Sequence, residues 1–234
     1  MAHASFRSAK EAKRIAEGDG IRVEIVIVAD RPNLETKLYL ETVIADATQV
    51  VEVDFGDLGM ARNAGVLAAE GDFIAFLDGD DLWGDTWLAA AHAAAKADTA
   101  PIVWHPEASL FFGDQIDSYW LRHYDQGSSE ADWLLLGHRN LWTALSFASA
   151  SVYREMPYRR NAIDAGFGYE DWAWNCDTIM LGWKHRIVPG TAHLIRMSAD
   201  SLVRRTAAGK ALPTPTDLFR RQLWPRCGTP KAFP

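Results

Sequence analysis

Cysteine is scarce: Cys176 and Cys227 are the only two in 234 residues. They make neither a disulfide framework nor a CxxC metal pattern, and a reducing cytosol suits such a chain, so a cytoplasmic location is expected. Basic charge is also short. Twenty-four Lys and Arg stand against 31 Asp and Glu, giving a formal net charge of −7 and a pI near 5.5, which argues against nucleic acid as a main partner. No run of eighteen apolar residues occurs, so no transmembrane span is encoded, and the opening MAHASFRSAK lacks the apolar centre of a signal peptide. No internal repeat is visible. What is plentiful is apolar content, 48% of a length that suits one α/β domain. Ten Trp residues are read mainly as large core and interface side chains.

The stretch Val51–Trp83 carries the strongest pattern. A β-branched run, Val51–Val53, ends at Asp54, Gly56 and Asp57. Met60–Glu70 then reads as a helix of mostly small residues, which permits close packing on a sheet. Phe73–Leu77 (FIAFL) is a continuous apolar run, as expected of a strand buried on both faces. It stops at Asp78-Gly79-Asp80-Asp81. Carboxylates crowded at the end of a buried strand repel one another and are poorly solvated. Two readings follow: an ordinary acidic turn, or a cation site, because hard cations take clustered carboxylate oxygens. Arg62 and Asn63 fall near the amino end of the preceding helix, where backbone N–H groups favour an anion. A cation site opposite an anion site suits a nucleoside diphosphate.

Elsewhere the order alternates. Ser8–Glu17 reads as a helix with Gly18 at its end, Arg22–Ala29 (RVEIVIVA) as an internal strand closing at Asp30, Leu34–Val43 as a helix capped by Asn33, and Thr48–Val53 as the next strand. This is βαβ alternation with right-handed crossovers. After the acidic turn, Asp85 can cap an Ala-rich helix over Thr86–Ala97, and Ile102–Trp104 reads as a short strand. Residues 106–160 read as less regular. Glu170 and Asp171 precede a helix over Trp172–Leu181, where Asp171 is either a cap or a proton acceptor. Lys184–Val188 is a short strand, Pro189-Gly190 a turn, and Thr191–Met197 follows. From Ala208 the chain turns Pro-rich, with one short basic amphipathic helix over Leu218–Trp224 that either packs back or touches a membrane surface or partner.

ARNAG followed by AAEGDFIAFLDGDDLW resembles the core of the family 2 glycosyltransferases. The resemblance implies the GT-A fold: an α/β, Rossmann-like nucleotide-diphospho-sugar transferase fold with a mixed, mostly parallel sheet flanked by helices. It implies one domain over residues 1–207, with a nucleotide-binding half (1–100), an acceptor half (101–207) and a Pro-rich tail (208–234). In that family the acidic turn is the DXD motif. Asp78 would then contact the ribose, Asp80 would hold Mn²⁺ or Mg²⁺ on the diphosphate, and Arg62 would lie against the nucleotide. Asp30 would accept from a uracil-type N–H, although Ala29 stands where the family has a second acid. GFGYEDW resembles the acceptor-side ED motif of inverting members, making Asp171 the base and Glu170 the residue that orients base or acceptor. His193 falls where relatives place a metal-binding His, and Arg196 in a segment that closes over the diphosphate.

One departure stands out. The family begins with a central strand ending in a Pro-x-Tyr-Asn type of sequence, and no such strand is visible here. The start lies upstream, another segment fills the gap, or the nucleotide pocket lacks a wall. The implied function is a metal-dependent, inverting transfer from a UDP-sugar type of donor to a carbohydrate or other hydroxyl acceptor, with surface polysaccharide synthesis as the family association. The rival is a non-catalytic nucleotide- or carbohydrate-binding protein of the same fold. A sugar-nucleotide pyrophosphorylase would need a Gly-rich loop and Lys after the first strand, and neither is present.

Overall fold

Helix-forming and strand-forming segments alternate through a computed structural model that describes residues 2–98, 100–114, 116–198 and 201–220. In order they are α1 (Ala2–Gly18), β1 (Val26–Asp30), α2 (Leu34–Val43), β2 (Gln49–Val53), α3 (Leu58–Ala68), β3 (Phe73–Ala75), β4 (Leu82–Trp83), α4 (Trp87–Ala97), β5 (Ile102–Phe112), β6 (Tyr119–Arg122), β7 (Phe147–Ser149), α5 (Ala150–Glu155), β8 (Phe167–Gly168), α6 (Glu170–Met180), β9 (Lys184–Arg196), α7 (Leu202–Ala208) and β10 (Leu212–Pro213).

The strands divide into a parallel β1–β2 pair, a small β8–β10 pair, and a mixed sheet in the order β3-β7-β5-β9-β4, with β6 also on β5. The longest ladder is the parallel β5–β9 pair, running from Ile102 opposite Lys184 to Phe112 opposite Arg196. Small residues decide the helix contacts. Ala12 and Ala16 of α1 pack against Trp87, Leu88, Ala91 and Ala95 of α4, the spacing expected of one apolar stripe. Leu40 and Val43 of α2 pack on Ala29, and Asn33 Oδ1 caps that helix by accepting from Thr36 N at 2.8 Å.

Several strands differ from the sequence reading. FIAFL is not buried on both faces. Ile74 and Phe76 enter a core cluster with Val66, Val103 and Trp174, whereas Phe73, Ala75 and Leu77 line a cavity of about 1260 Å³. Its one ladder among the described residues, to β7, is antiparallel. RVEIVIVA is not internal either: β1 pairs only with β2 among the described residues, and Ala29 is its one buried residue. The cavity lies between these two strands, and no strand precedes β1 among the described residues.

The region read as irregular contains most of β5 together with β6, β7 and α5. Pro189-Gly190 does not end a strand. Between Pro106 and Ala108 of β5 the partner register moves from Val188 to Ala192, so the pair bulges out of one continuous β9. Helix α6 starts at Glu170, not Trp172; Tyr169 ahead of it is left-handed at φ 56°. Of the short helix read over Leu218–Trp224, Asp217–Phe219 forms a 3-10 turn with Leu218 fully buried. Residues 221–234, including Cys227, lie outside the described residues.

Candidate active site

The carboxyl ends of β1 and β2 meet at Asp30. Its Oδ1 accepts from Phe55 N (2.8 Å) and Gly56 N (2.9 Å), and its Oδ2 from Asp57 N (2.9 Å). Burial would raise its pKa, but these backbone donors lower it overall. Asp30 therefore clasps the loop into α3, with most of a carboxylate's roughly four acceptor positions already used. Asp57 continues the line. It caps α3 by accepting from Met60 N (2.9 Å), and its second oxygen accepts from Asn161 N (2.8 Å).

One turn into α3, Arg62 is buried between two carboxylates. Its Nη2 donates to both oxygens of Asp78 at 2.9 Å, and its Nη1 donates to Glu170 Oε1 at 2.8 Å. The guanidinium also lies 5.5 Å from the Tyr158 ring centroid. Burial opposes its charge, but Asp78 and then Glu170 outweigh that and raise its pKa. Glu170 is occupied on its other side too, since Oε2 accepts from Asn161 Nδ2 at 2.9 Å. Asn63 binds the Tyr158 backbone on both of its polar atoms, at 2.8 and 2.9 Å. Arg62 and Asn63 thus dock α3 against the acidic turn, α6 and the segment before it.

The acidic turn holds three carboxylates, of which only Asp78 has a salt bridge among the described residues. Asp80 is partly buried, and burial followed by Asp78 raises its pKa. Asp81 is buried, and burial with Asp78 at its side pushes it up to about 8. Its Oδ1 accepts from Arg196 N at 2.7 Å, which ties the turn to the end of β9. The Arg196 side chain reaches toward Asp114, with Nη2 at 3.9 Å.

Asp171 occupies the first turn of α6 rather than its cap. Its Oδ1 accepts from Trp172 N at 2.8 Å, and its Oδ2 from Asn140 Nδ2 at 2.9 Å. The Asn140 amide is oriented in turn, because its Oδ1 accepts from Asn175 Nδ2 at 2.8 Å. Burial, then the neighbouring Glu170, raises the Asp171 pKa. Of the two ED carboxylates, Glu170 is held by Arg62 and Asn161, whereas Asp171 has no salt bridge among the described residues. Asn140 also borders a cavity of about 410 Å³ lined by Leu121, Tyr124, Ala131 and Leu141.

The resemblance calls for a divalent cation at Asp80. The donor set fits in part. Asp80 and Asp81 are hard oxygen donors with no salt bridge among the described residues, and a cation would relieve the cost of ionising them together. Among the described residues no group of three His, Cys, Asp or Glu side chains could hold a metal ion. An ion here would take few protein ligands and fill its shell from phosphate and water, as Mg²⁺ does. His193 is fully buried, edge-on to Trp87 with ring centroids 4.6 Å apart, and neither ring nitrogen has a partner among the described residues. Burial lowers its pKa to about 3.

The sequence profile of glycosyl transferase family 2 matches residues 3–141, more than half of the chain. The chain belongs to glycosyl transferase family 2. No curated protein matches it by sequence. Among solved structures, S. aureus TarS 1-349 superposes with a TM-score of 0.59 at 14% identity, covering 83% of this chain and 56% of that one. The same protein in complex with UDP-GlcNAc gives 0.56, also at 14% identity, over 79% and 52%. GalNAc-T7 with UDP, GalNAc and Mn²⁺ gives 0.54 at 18% identity, over 76% and 38%. These likenesses establish the GT-A fold. This family 2 chain spans about half the length of the TarS fragment. Among its described residues no helix is long and apolar enough to cross a membrane.

Four site residues of this family 2 chain had no role in the sequence reading: Asn140, Asn161, Asn175 and Asp57. Asn140 falls in the stretch read as less regular, and its contact with Asp171 is visible only in the structure. Asn161 lies nine residues before Glu170, too far for a local pattern to link them.

Proposed function

We propose that this chain transfers a sugar from a nucleoside-diphosphate donor, UDP-linked, to an acceptor hydroxyl by single displacement with inversion, with Asp171 as general base and Mn²⁺ or Mg²⁺ at Asp80. The observation that carries the reading is Arg62, whose one guanidinium joins Asp78 on the donor side to Glu170 beside the base. Asp171 takes the acceptor proton as the acceptor oxygen bonds the anomeric carbon and the bond from that carbon to the diphosphate breaks. A carboxyl group raised toward neutrality suits that work better than an ordinary one. Asn140 holds the base and borders the cavity of about 410 Å³ into which a carbohydrate acceptor would fit. Asp78 faces the ribose, and Asp30 shapes the base pocket through the Phe55–Asp57 loop. Arg196, tied to the acidic turn by its backbone, lies on the diphosphate side. A cation held by Asp80 supplies Lewis-acid neutralisation of the leaving group. His193 is omitted from the ion's ligands because its ring is enclosed against Trp87.

Two variants test this. Asp171→Asn retains UDP binding measured by calorimetry while turnover falls about 10²–10⁴-fold. Asp80→Ala loses the Mn²⁺-dependent part of UDP binding. Unchanged transfer by Asp171→Asn would remove the base assignment. A second reading, a binding protein without catalysis, is favoured by the open cavity beside β1. It predicts UDP binding by the parent chain with neither transfer nor donor hydrolysis.

A further inference from the structure

Asp171 and Asn175 stand one turn apart on α6 and so share a face of that helix. Asn140 bridges them. Its Nδ2 donates to Asp171 Oδ2 at 2.9 Å, and its Oδ1 accepts from Asn175 Nδ2 at 2.8 Å. The line continues, because Asn175 Nδ2 also donates to the Trp142 carbonyl oxygen at 3.2 Å. That last contact decides the direction of the rest. A backbone carbonyl can only accept, so the end of Asn175 that faces it must be the NH2 group. The same NH2 group faces Asn140, so the end of Asn140 that it meets must be the oxygen. What is left to face Asp171 is the Asn140 NH2 group. Turning Asn140 around would set two NH2 groups together and an amide oxygen against a carboxylate.

The carbonyl that sets this direction is itself held. Trp142 is buried, its indole Nε1 donates to Tyr124 O at 2.9 Å, and its ring stacks on His185 with centroids 4.5 Å apart. Asn175 is buried too, and its own carbonyl accepts from Thr178 Oγ1 at 2.9 Å. We propose that Asn175 is a positioning residue for sugar transfer: acting through Asn140, it ensures that Asp171 always meets an N–H and never an amide oxygen. A donor to the carboxylate favours the ionised form, which is the form that can take a proton. The proposal rests on the reading of Asp171 as general base.

Other groups around Asp171 pull both ways. Burial opposes its ionisation most, then Glu170 beside it, with Asp78 of the acidic turn adding to them; Arg62 of α3 and the Trp172 N–H favour it. The Tyr158 hydroxyl stays neutral, since burial holds its pKa well above the usual tyrosine value. None of these groups belongs to the amide line. Removing Asn175 therefore changes the donor at Asp171 and leaves the surrounding charges in place.

The test reads Asp171 directly, by 13C NMR titration of its carboxyl in the full chain, assigned by its loss in Asp171→Asn. Asn175→Leu, similar in volume and unable to donate, should raise the midpoint by about one pH unit, a tenfold change in ionisation. Asn140→Leu should raise it by as much, and the double variant by no more, because the two residues act in series. In transfer assays the acid limb of kcat should move with the midpoint while KM for the donor stays constant. An unchanged midpoint in Asn175→Leu, or additive shifts in the double variant, would overturn the proposal. Should Asn175→Leu fail to fold, the parent chain decides. The side-chain NH2 signals of both Asn140 and Asn175 should shift with the Asp171 midpoint, and an Asn175 signal that ignores it would count against the line. If the midpoint moves in a chain that shows no transfer, the amide line stands and the base assignment falls, so the two readings fail separately.

Discussion

Arg62 shows how one side chain can carry both stability and arrangement. Its charge is removed from water, and its salt bridges among the described residues are to Asp78 and Glu170. Arg62→Ala would strand two carboxylates and is expected to lower unfolding free energy by about 3–5 kcal/mol in urea denaturation. A loss below about 1 kcal/mol would mean the carboxylates find water or protons instead. Asp81 gives a pH signature in chelator-treated protein. Its folded pKa of about 8 lies above the usual carboxylate value of 3.8, so the folded state binds more protons between those limits and stability falls as pH rises through them. Asp81→Asn removes that loss. Its stability relative to the parent should therefore drop by about 2–3 kcal/mol from pH 7 to pH 5, and equal pH profiles for the two would count against a buried, protonated Asp81. The residue types of this site were legible in the sequence, because Arg62, Asp78, Asp80, Glu170 and Asp171 stand in two compact patterns. Their pairing was not. Nothing local indicates that Glu170, rather than Asp171, takes the arginine, since a separation of 108 residues leaves no periodicity to read.

Helix α3 is short of bulk for a reason that can be checked. A Cβ at Gly59 would come within 2.7 Å of Arg159 O and 3.2 Å of Tyr158 Cβ, whereas one at Gly79 would meet nothing within 4 Å. Gly59→Ala is expected to cost about 1–3 kcal/mol in thermal or urea unfolding, because the obstacle is backbone, while Gly79→Ala stays within about 0.5 kcal/mol of the parent. Equal effects would show that α3 shifts freely on its support. Elements with their own signals were legible: α2 runs over the residues read for it, with Asn33 as its cap. Elements that depend on distant partners were not. FIAFL reads as a strand covered on both sides because it is apolar throughout, yet Phe73, Ala75 and Leu77 border a cavity. Pro189-Gly190 reads as a stop because those residues usually make turns, yet pairing with β5 on either side carries β9 through them as a bulge.

Across the whole molecule the buried histidines act in concert. His105, His123, His185 and His193 are all fully enclosed, and burial lowers the pKa of each. His105 Nε2 and His185 Nδ1 lie 2.8 Å apart, and His185 Nε2 lies 2.9 Å from Thr178 Oγ1. A histidine whose folded pKa is depressed lends stability in full above pH 6.5 and loses it as pH falls toward the folded value. In NMR spectra of the folded chain, the rings of His105, His185 and His193 should not titrate between pH 7 and 5; a midpoint near 6.5 for any of them would mean its site is open to water. The Arg62 bridge has a further consequence for how the chain could be divided. β3 and β4, encoded before Pro101, lie in one sheet with β5, β7 and β9, encoded after it, and the guanidinium of one portion neutralises an acid of the other. Peptides severed at Ala100 would each keep half of a charge balance and half of a hydrogen-bonded ladder. Neither should hold its shape in isolation, and function should return only by complementation, when the two fragments are mixed and fold as a pair.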